Sequence, residues 1–125
     1  VFRKRLENGV KTNKLELSNM GLPMIPADVF NIPGLRTLSL ADNQIETVSK
    51  DIGLLSGLTQ LRLAGNNLSH LPSEIGTLTS LQTLWIQGNK FATVPAGVLE
   101  LTSLTALSMS NNLIASLPVQ LINLT

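Results

Sequence analysis

The chain has 125 residues, with nine Lys plus Arg against eight Asp plus Glu, and no Cys. A net charge of +1 points to no class of charged partner, and a chain without thiols can form neither a disulfide framework nor a thiolate-held zinc site. With 43% hydrophobic but only 3% aromatic residues, the core has to be built from aliphatic side chains, and no apolar run reaches the roughly 18 residues of a membrane span.

Residues 1–14 carry Arg3, Lys4, Arg5, Lys11 and Lys14 against Glu7, so the rest of the chain is net acidic. No apolar signal core follows these cations, and they read as a solvated face rather than a nucleic-acid contact. Phe2, Leu6 and Val10 recur every four residues. Residues 1–11 are therefore predicted as a short amphipathic cap, with Gly9 as its C′ residue and Val10 making the apolar contact that closes such an end.

From Thr12 the chain is periodic. The segments LRTLSLADNQI, LTQLRLAGNNL, LQTLWIQGNKF and LTALSMSNNLI open at Leu35, Leu58, Leu81 and Leu104, 23 residues apart without slippage. One period earlier Thr12 opens TNKLELSNMGL, a degraded copy with Leu15, Leu17 and Leu22 in register. Five units thus fill residues 12–125. A fixed period of this length marks a stacked array, in which each unit covers its apolar face with the next.

Within a unit, Leu38 and Leu40 alternate with Thr37, Ser39 and Ala41, the period of a strand buried on one face. Parallel stacking is expected to bury the columns Leu38, Leu61, Leu84, Leu107 and Leu40, Leu63, Ile86, Met109. Further columns follow in each unit: Ile45, Leu68, Phe91, Ile114; Val48, Leu71, Val94, Leu117; and Ile52, Ile75, Val98, Leu121. Asn43, Asn66, Asn89 and Asn112 form a polar column among them, and a buried amide must find hydrogen-bond partners. Met20 takes this place in the first unit, where the column should stop. Pro26, Pro72, Pro95 and Pro118 disfavour helix before them, with Ser49 as the exception in the second unit. Turns and short 3₁₀ pieces, not long helices, are expected on the outer arm.

These motifs resemble the leucine-rich repeat family from Thr12 to the end of the chain. The 23-residue spacing and the LPSEIGTL-type arms are similar to the intracellular signalling-scaffold subclass, found in Ras-pathway scaffolds and in Scribble- or Erbin-like proteins. The resemblance implies a right-handed, curved α/β solenoid with a short parallel sheet on its concave face and turns or 3₁₀ pieces on its convex face. It implies that the asparagine column is a structural ladder serving the turn backbone. It also implies a longer array, a non-catalytic module for protein–protein interaction in signalling or scaffolding, and no cofactor. The alternatives are the recognition arm of a larger kinase, phosphatase, GTPase or ubiquitin ligase, or an extracellular recognition domain.

The residues themselves offer no catalytic motif: there is no G-x-x-x-x-G-K, G-x-G-x-x-G, H-E-x-x-H or G-x-S-x-G. His70 is the sole imidazole and has no third group to orient it for a neighbouring hydroxyl. Glu16 and Asp42 lie on the strand side of adjacent units, but paired acid–base carboxylates need a pocket, and an open sheet face should lack one. One His without Cys cannot make a zinc site. The sequons Asn67-Leu68-Ser69 and Asn123-Leu124-Thr125 are expected by chance in a chain this rich in Asn, Ser and Thr. Secreted relatives close their ends with disulfide caps, so a chain without Cys is expected in the cytoplasm, unless flanking sequence supplies those caps.

A partner is expected on the outward strand residues. Three rows are predicted: Lys14, Thr37, Gln60, Thr83, Ala106; Glu16, Ser39, Arg62, Trp85, Ser108; and Ser18, Ala41, Ala64, Gln87, Ser110. Most are small and neutral. Trp85, the only Trp, stands beside Arg62 one strand away, about 5 Å by parallel-strand spacing. Trp and Arg are the residues most enriched at interface hot spots. A protein or peptide is thus predicted to centre on Trp85 and Arg62, flanked by Gln60 and Gln87, with rim contacts from Glu16, Lys14 and Asp42. The last unit presents Leu104, Leu107, Leu117 and Leu121 without a polar cap, so that edge is expected to be covered by further repeats or another chain.

Overall fold

The computed structural model describes residues 2–114. One helix, α1 (Phe2–Thr12), precedes five three-residue strands: β1 (Lys14–Glu16), β2 (Thr37–Ser39), β3 (Gln60–Arg62), β4 (Thr83–Trp85) and β5 (Ala106–Ser108). The strands form one parallel sheet in sequence order. The register pairs Leu15, Leu38, Leu61, Leu84 and Leu107 directly across it, which is the 23-residue period written in space. Each strand ends at the residue of the Glu16–Ser108 row. Side chains of that row therefore sit at the sheet's carboxyl edge.

The core is continuous from Leu15 to Leu104 and almost wholly aliphatic, with Phe30 and Phe91 as its aromatic members. The inward columns are buried through the middle units, whereas Leu107, Met109 and Ile114 of the last unit are only half-buried, since no described unit covers them. Leu71 and Val94 are also half-buried, at the margin of the outer arm. Leu117, Pro118 and Leu121, Asn123 and the rest of the fifth unit's arm lie outside the described residues.

The outer arm carries four 3₁₀ turns, Ala27–Asn31, Lys50–Leu54, Ser73–Thr77 and Ala96–Glu100. Three start after Pro26, Pro72 or Pro95, whose φ of −59°, −66° and −58° is set by the ring. The fourth starts after Ser49 at φ −64°, ψ 148°, where the hydroxyl accepts a hydrogen bond from the Asp51 N–H at 3.1 Å. The hydroxyl thus does by capping what the ring does by restriction. Adjacent turns pack closely: a Cβ at Gly97 would clash with the Ile75 side chain and press on the Gly76 backbone.

The N-terminal cap forms, but it ends differently from the sequence expectation. Gly9 lies inside α1, buried, and an added Cβ would stand 3.3 Å from Leu15 Cδ1. Its missing side chain lets the helix settle on β1. Asn13 is the C′ residue instead, at φ 62°, and its N–H donates to the Gly9 carbonyl at 2.8 Å. Val10 consequently points to water, 62% exposed, while Phe2 and Leu6 pack on the core.

Candidate functional site

The register sets Glu16, Ser39, Arg62, Trp85 and Ser108 in one row across the sheet. Arg62 lays its guanidinium over the Trp85 indole, with Cζ 4.5 Å from the ring centroid. Such a stack is worth about 0.5–1 kcal/mol where solvent reaches it, and it holds two half-buried side chains in one orientation. Among the described residues, Arg62 Nε is buried without a hydrogen-bond partner, and so is Gln87 Oε1.

Glu16 closes the row at the cap end. Its carboxylate accepts hydrogen bonds from the Ser18 amide at 2.9 Å and from the Ser18 hydroxyl. Partial burial pushes its pKa up, but the Ser18 hydroxyl and amide, the Ser39 hydroxyl and the positive charge of Arg62 outweigh it and hold the carboxyl below its ordinary value. A carboxylate fixed in its ionised form accepts hydrogen bonds and balances a cation. It does not store a proton for general-acid work.

The sheet face is not as featureless as its small side chains suggest. Trp85, Arg62, Gln87, Glu16 and Asp42 line one shallow depression of about 510 Å³, floored by Ala41, Ala64, Gly65 and Gly88. The floor depends on a column immediately beyond the strands. Asn19, Asp42, Gly65, Gly88 and Asn111 all take positive φ, between 56° and 69°, a conformation that Gly, Asn and Asp tolerate best. Gly65 is further fixed because a Cβ there would collide with the Asp42 carboxylate, which lies over it.

Lys14 and Gln60 do not join Trp85. They line an adjoining depression of about 340 Å³ that shares Glu16, Ser39 and Arg62 with the first. Gln60 opposes Thr83, not Trp85, because it precedes Arg62 by two residues on β3. Of the two expected flanking residues, Gln87 shares the first depression with Trp85, and Gln60 lines the adjoining one. Beyond Lys14, Arg5 of α1 donates to the Glu16 carbonyl at 3.0 Å and helps line a third hollow with Asn8 and Thr12.

The positive-φ column is part of this face too, and strand alternation points only to Asp42 among its members. Its signal was present, since positions 19, 42, 65, 88 and 111 are all Asn, Asp or Gly at the repeat period. Arg5 had no such signal, because helical periodicity does not say which side of a helix meets a sheet edge.

Away from this face, His70 is exposed and its Nδ1 meets only the Ser69 hydroxyl, at 2.9 Å. Among the described residues no group of three or more His, Cys, Asp or Glu could hold a metal ion, and no helix is long and apolar enough to cross a membrane.

A family model for the leucine-rich repeat region matches residues 35–125. The chain belongs to the leucine-rich repeat family. No curated protein matches it, but solved leucine-rich repeat structures do. A leucine-rich repeat protein of Leptospira interrogans is 28% identical with a TM-score of 0.81, and the match covers 99% of this chain and 38% of that one. The BIR2 ectodomain of Arabidopsis thaliana is 26% identical with a TM-score of 0.74, covering 85% and 58%. A plant peptide hormone receptor, RGFR1, solved in complex with RGF2, is 36% identical with a TM-score of 0.68, covering 81% and 17%. This leucine-rich repeat chain thus spans less than two thirds of the length of each. The family's solenoid, with a parallel sheet along one face, is the architecture described above.

Proposed function

We propose that this chain is a non-catalytic module that holds a protein or peptide on its concave sheet face, with Trp85 as the anchor and Arg62 beside it. The observation that carries this reading is the indole itself. The chain's only Trp stands on the open face of the sheet, above a floor of Ala and Gly, pre-ordered by a stacked guanidinium. Ala41, Ala64, Gly65 and Gly88 leave the ring open to a side chain from outside. The likeness to a receptor solved with RGF2 supports a peptide-sized partner.

Truncating Trp85 to Ala should leave the thermal midpoint nearly unchanged, because the ring is not part of the core. It should weaken partner binding by at least about 2 kcal/mol, or roughly thirtyfold. Arg62→Ala should lose less, through the loss of its stack on the indole, and Ser108→Ala should do neither. Calorimetric titration beside thermal melts measures all three. A Trp85→Ala protein that melts early but keeps its affinity would make the indole structural and remove the anchor.

The module is further proposed to work inside the cell, in signalling or scaffolding, on the strength of its lack of Cys. The likeness to the BIR2 ectodomain favours a second, extracellular reading. Antibody access to the tagged native protein on intact versus permeabilised cells separates the two.

A further inference from the structure

The depression beside Trp85 carries an unbalanced charge. Glu16 and Asp42 line it against Arg62, but the three are not equivalent. Glu16 is already engaged by Ser18 and lies in the field of Arg62, which helps keep it ionised. Arg62 Nε nonetheless has no hydrogen-bond partner among the described residues. Asp42 is exposed, and its carboxylate is turned over Gly65 into the depression. Gln87 Oε1, an acceptor with no partner, lines the same hollow. The last torsion of a Gln side chain is broad, so this oxygen can turn to an arriving donor at little cost. The Trp85 indole, which already carries the Arg62 guanidinium, lines the same hollow.

From this geometry we infer that the depression receives a cationic side chain of the partner, the ammonium of a Lys or the guanidinium of an Arg, with Asp42 as its counter-ion and Gln87 Oε1 as a second acceptor. The inference rests on the proposed concave-face binding and specifies the chemistry of the group that enters. A carboxylate would find the Arg62 Nε donor, but it would also meet Asp42 and Glu16 and leave Gln87 Oε1 unpaired. An aliphatic side chain would use the indole and leave both acceptors without a donor.

The test uses four pools of N-acetylated, C-amidated nonapeptides with degenerate flanks and a fixed central Lys, Arg, Glu or norleucine. Each pool is passed over immobilised protein, and the retained fraction is titrated against Trp85 fluorescence, which reports this site alone because the chain has no other Trp. The Lys and Arg pools should be retained at least tenfold over the Glu pool. Asp42→Asn should erase that preference while leaving the fold intact, since Asn19 and Asn111 hold the same φ of 56° at the equivalent positions. Gln87→Met should reduce the preference in part. Raising the salt should shrink it in the wild type and not in Asp42→Asn.

Preferential retention of the Glu or norleucine pool, or a cationic preference that survives Asp42→Asn, overturns the inference while leaving the anchor at Trp85 standing. Retention that is indifferent to Trp85→Ala, or no retention of any pool, removes the concave-face reading and this inference with it.

Discussion

At Asn66 one side chain closes three gaps in the backbone. Its Oδ1 accepts from the Ile45 N–H at 3.1 Å, and its Nδ2 donates to the Leu40 and Leu63 carbonyls at 3.0 Å. Asn89 repeats the pattern with Leu68, Leu63 and Ile86. All these groups are buried, so removing the amide leaves donors and acceptors that water cannot reach. Asn66→Ala or Asn89→Ala should therefore cost about 1–3 kcal/mol in chemical denaturation. Asn112→Ala should cost less, because Asn112 is half-buried and its partners can be re-solvated. Equal losses at all three would show that burial does not set the cost.

Glu16 gives a second prediction at this scale. Because its folded pKa is lowered, it contributes stability above the ordinary carboxylate range and loses it as pH falls through the lowered value. The stability gap between wild type and Glu16→Gln should be full at neutral pH and close as the solution is acidified below pH 4.5. Urea melts across pH measure it, and a gap that widens on acidification would reverse the sign. The row position of Glu16 was legible in the sequence, because strand alternation fixes which residues face out. Its bonds to Ser18 were not, since they depend on where the chain turns after the strand.

Among the elements, the outer-arm turns were the most legible, because Pro restricts its predecessor and itself wherever it falls. Ser49 is the instructive exception. Its φ and ψ match those of Pro72, at −66° and 153°, so a ring would fit there. Ser49→Pro should lose the bond to Asp51 and regain about 0.4–1 kcal/mol through a stiffer unfolded chain. Ser49→Ala should lose the cap alone, about 0.5–2 kcal/mol. The thermal midpoint of the Pro variant should exceed that of the Ala variant, and the reverse order would mean that the ring strains the turn. The end of α1 was the least legible element. Gly9 and Asn13 can each take a left-handed conformation, and the tie is broken by the close approach of helix to Leu15, a contact between segments that no local rule contains.

For the whole molecule, the sheet order and register follow from the period alone, and the graded burial of its ends follows from having neighbours on one side or both. Leu61 is fully buried between units and Leu107 half-buried. Leu61→Ala should cost about 2–5 kcal/mol and Leu107→Ala distinctly less, as chemical denaturation of the two variants would show. The asparagine column adds something that neither burial nor register contains. The turn amides of Met20 and Leu22 are served by Asn43, that of Ile45 by Asn66, that of Leu68 by Asn89 and that of Phe91 by Asn112. Each of these side-chain oxygens serves the turn of the unit before it, while the next residue along, Gln44, Asn67, Lys90 or Leu113, donates its amide back to the Leu22, Ile45, Leu68 or Phe91 carbonyl. A stack wired this way holds each joint from both sides. Loosening that begins at the carboxyl end strips the supports of the preceding turn and can travel backward, unit by unit. The same loss at the amino end takes the carbonyl acceptor from the next unit's Gln44, Asn67, Lys90 or Leu113 amide, so loosening can travel forward as well.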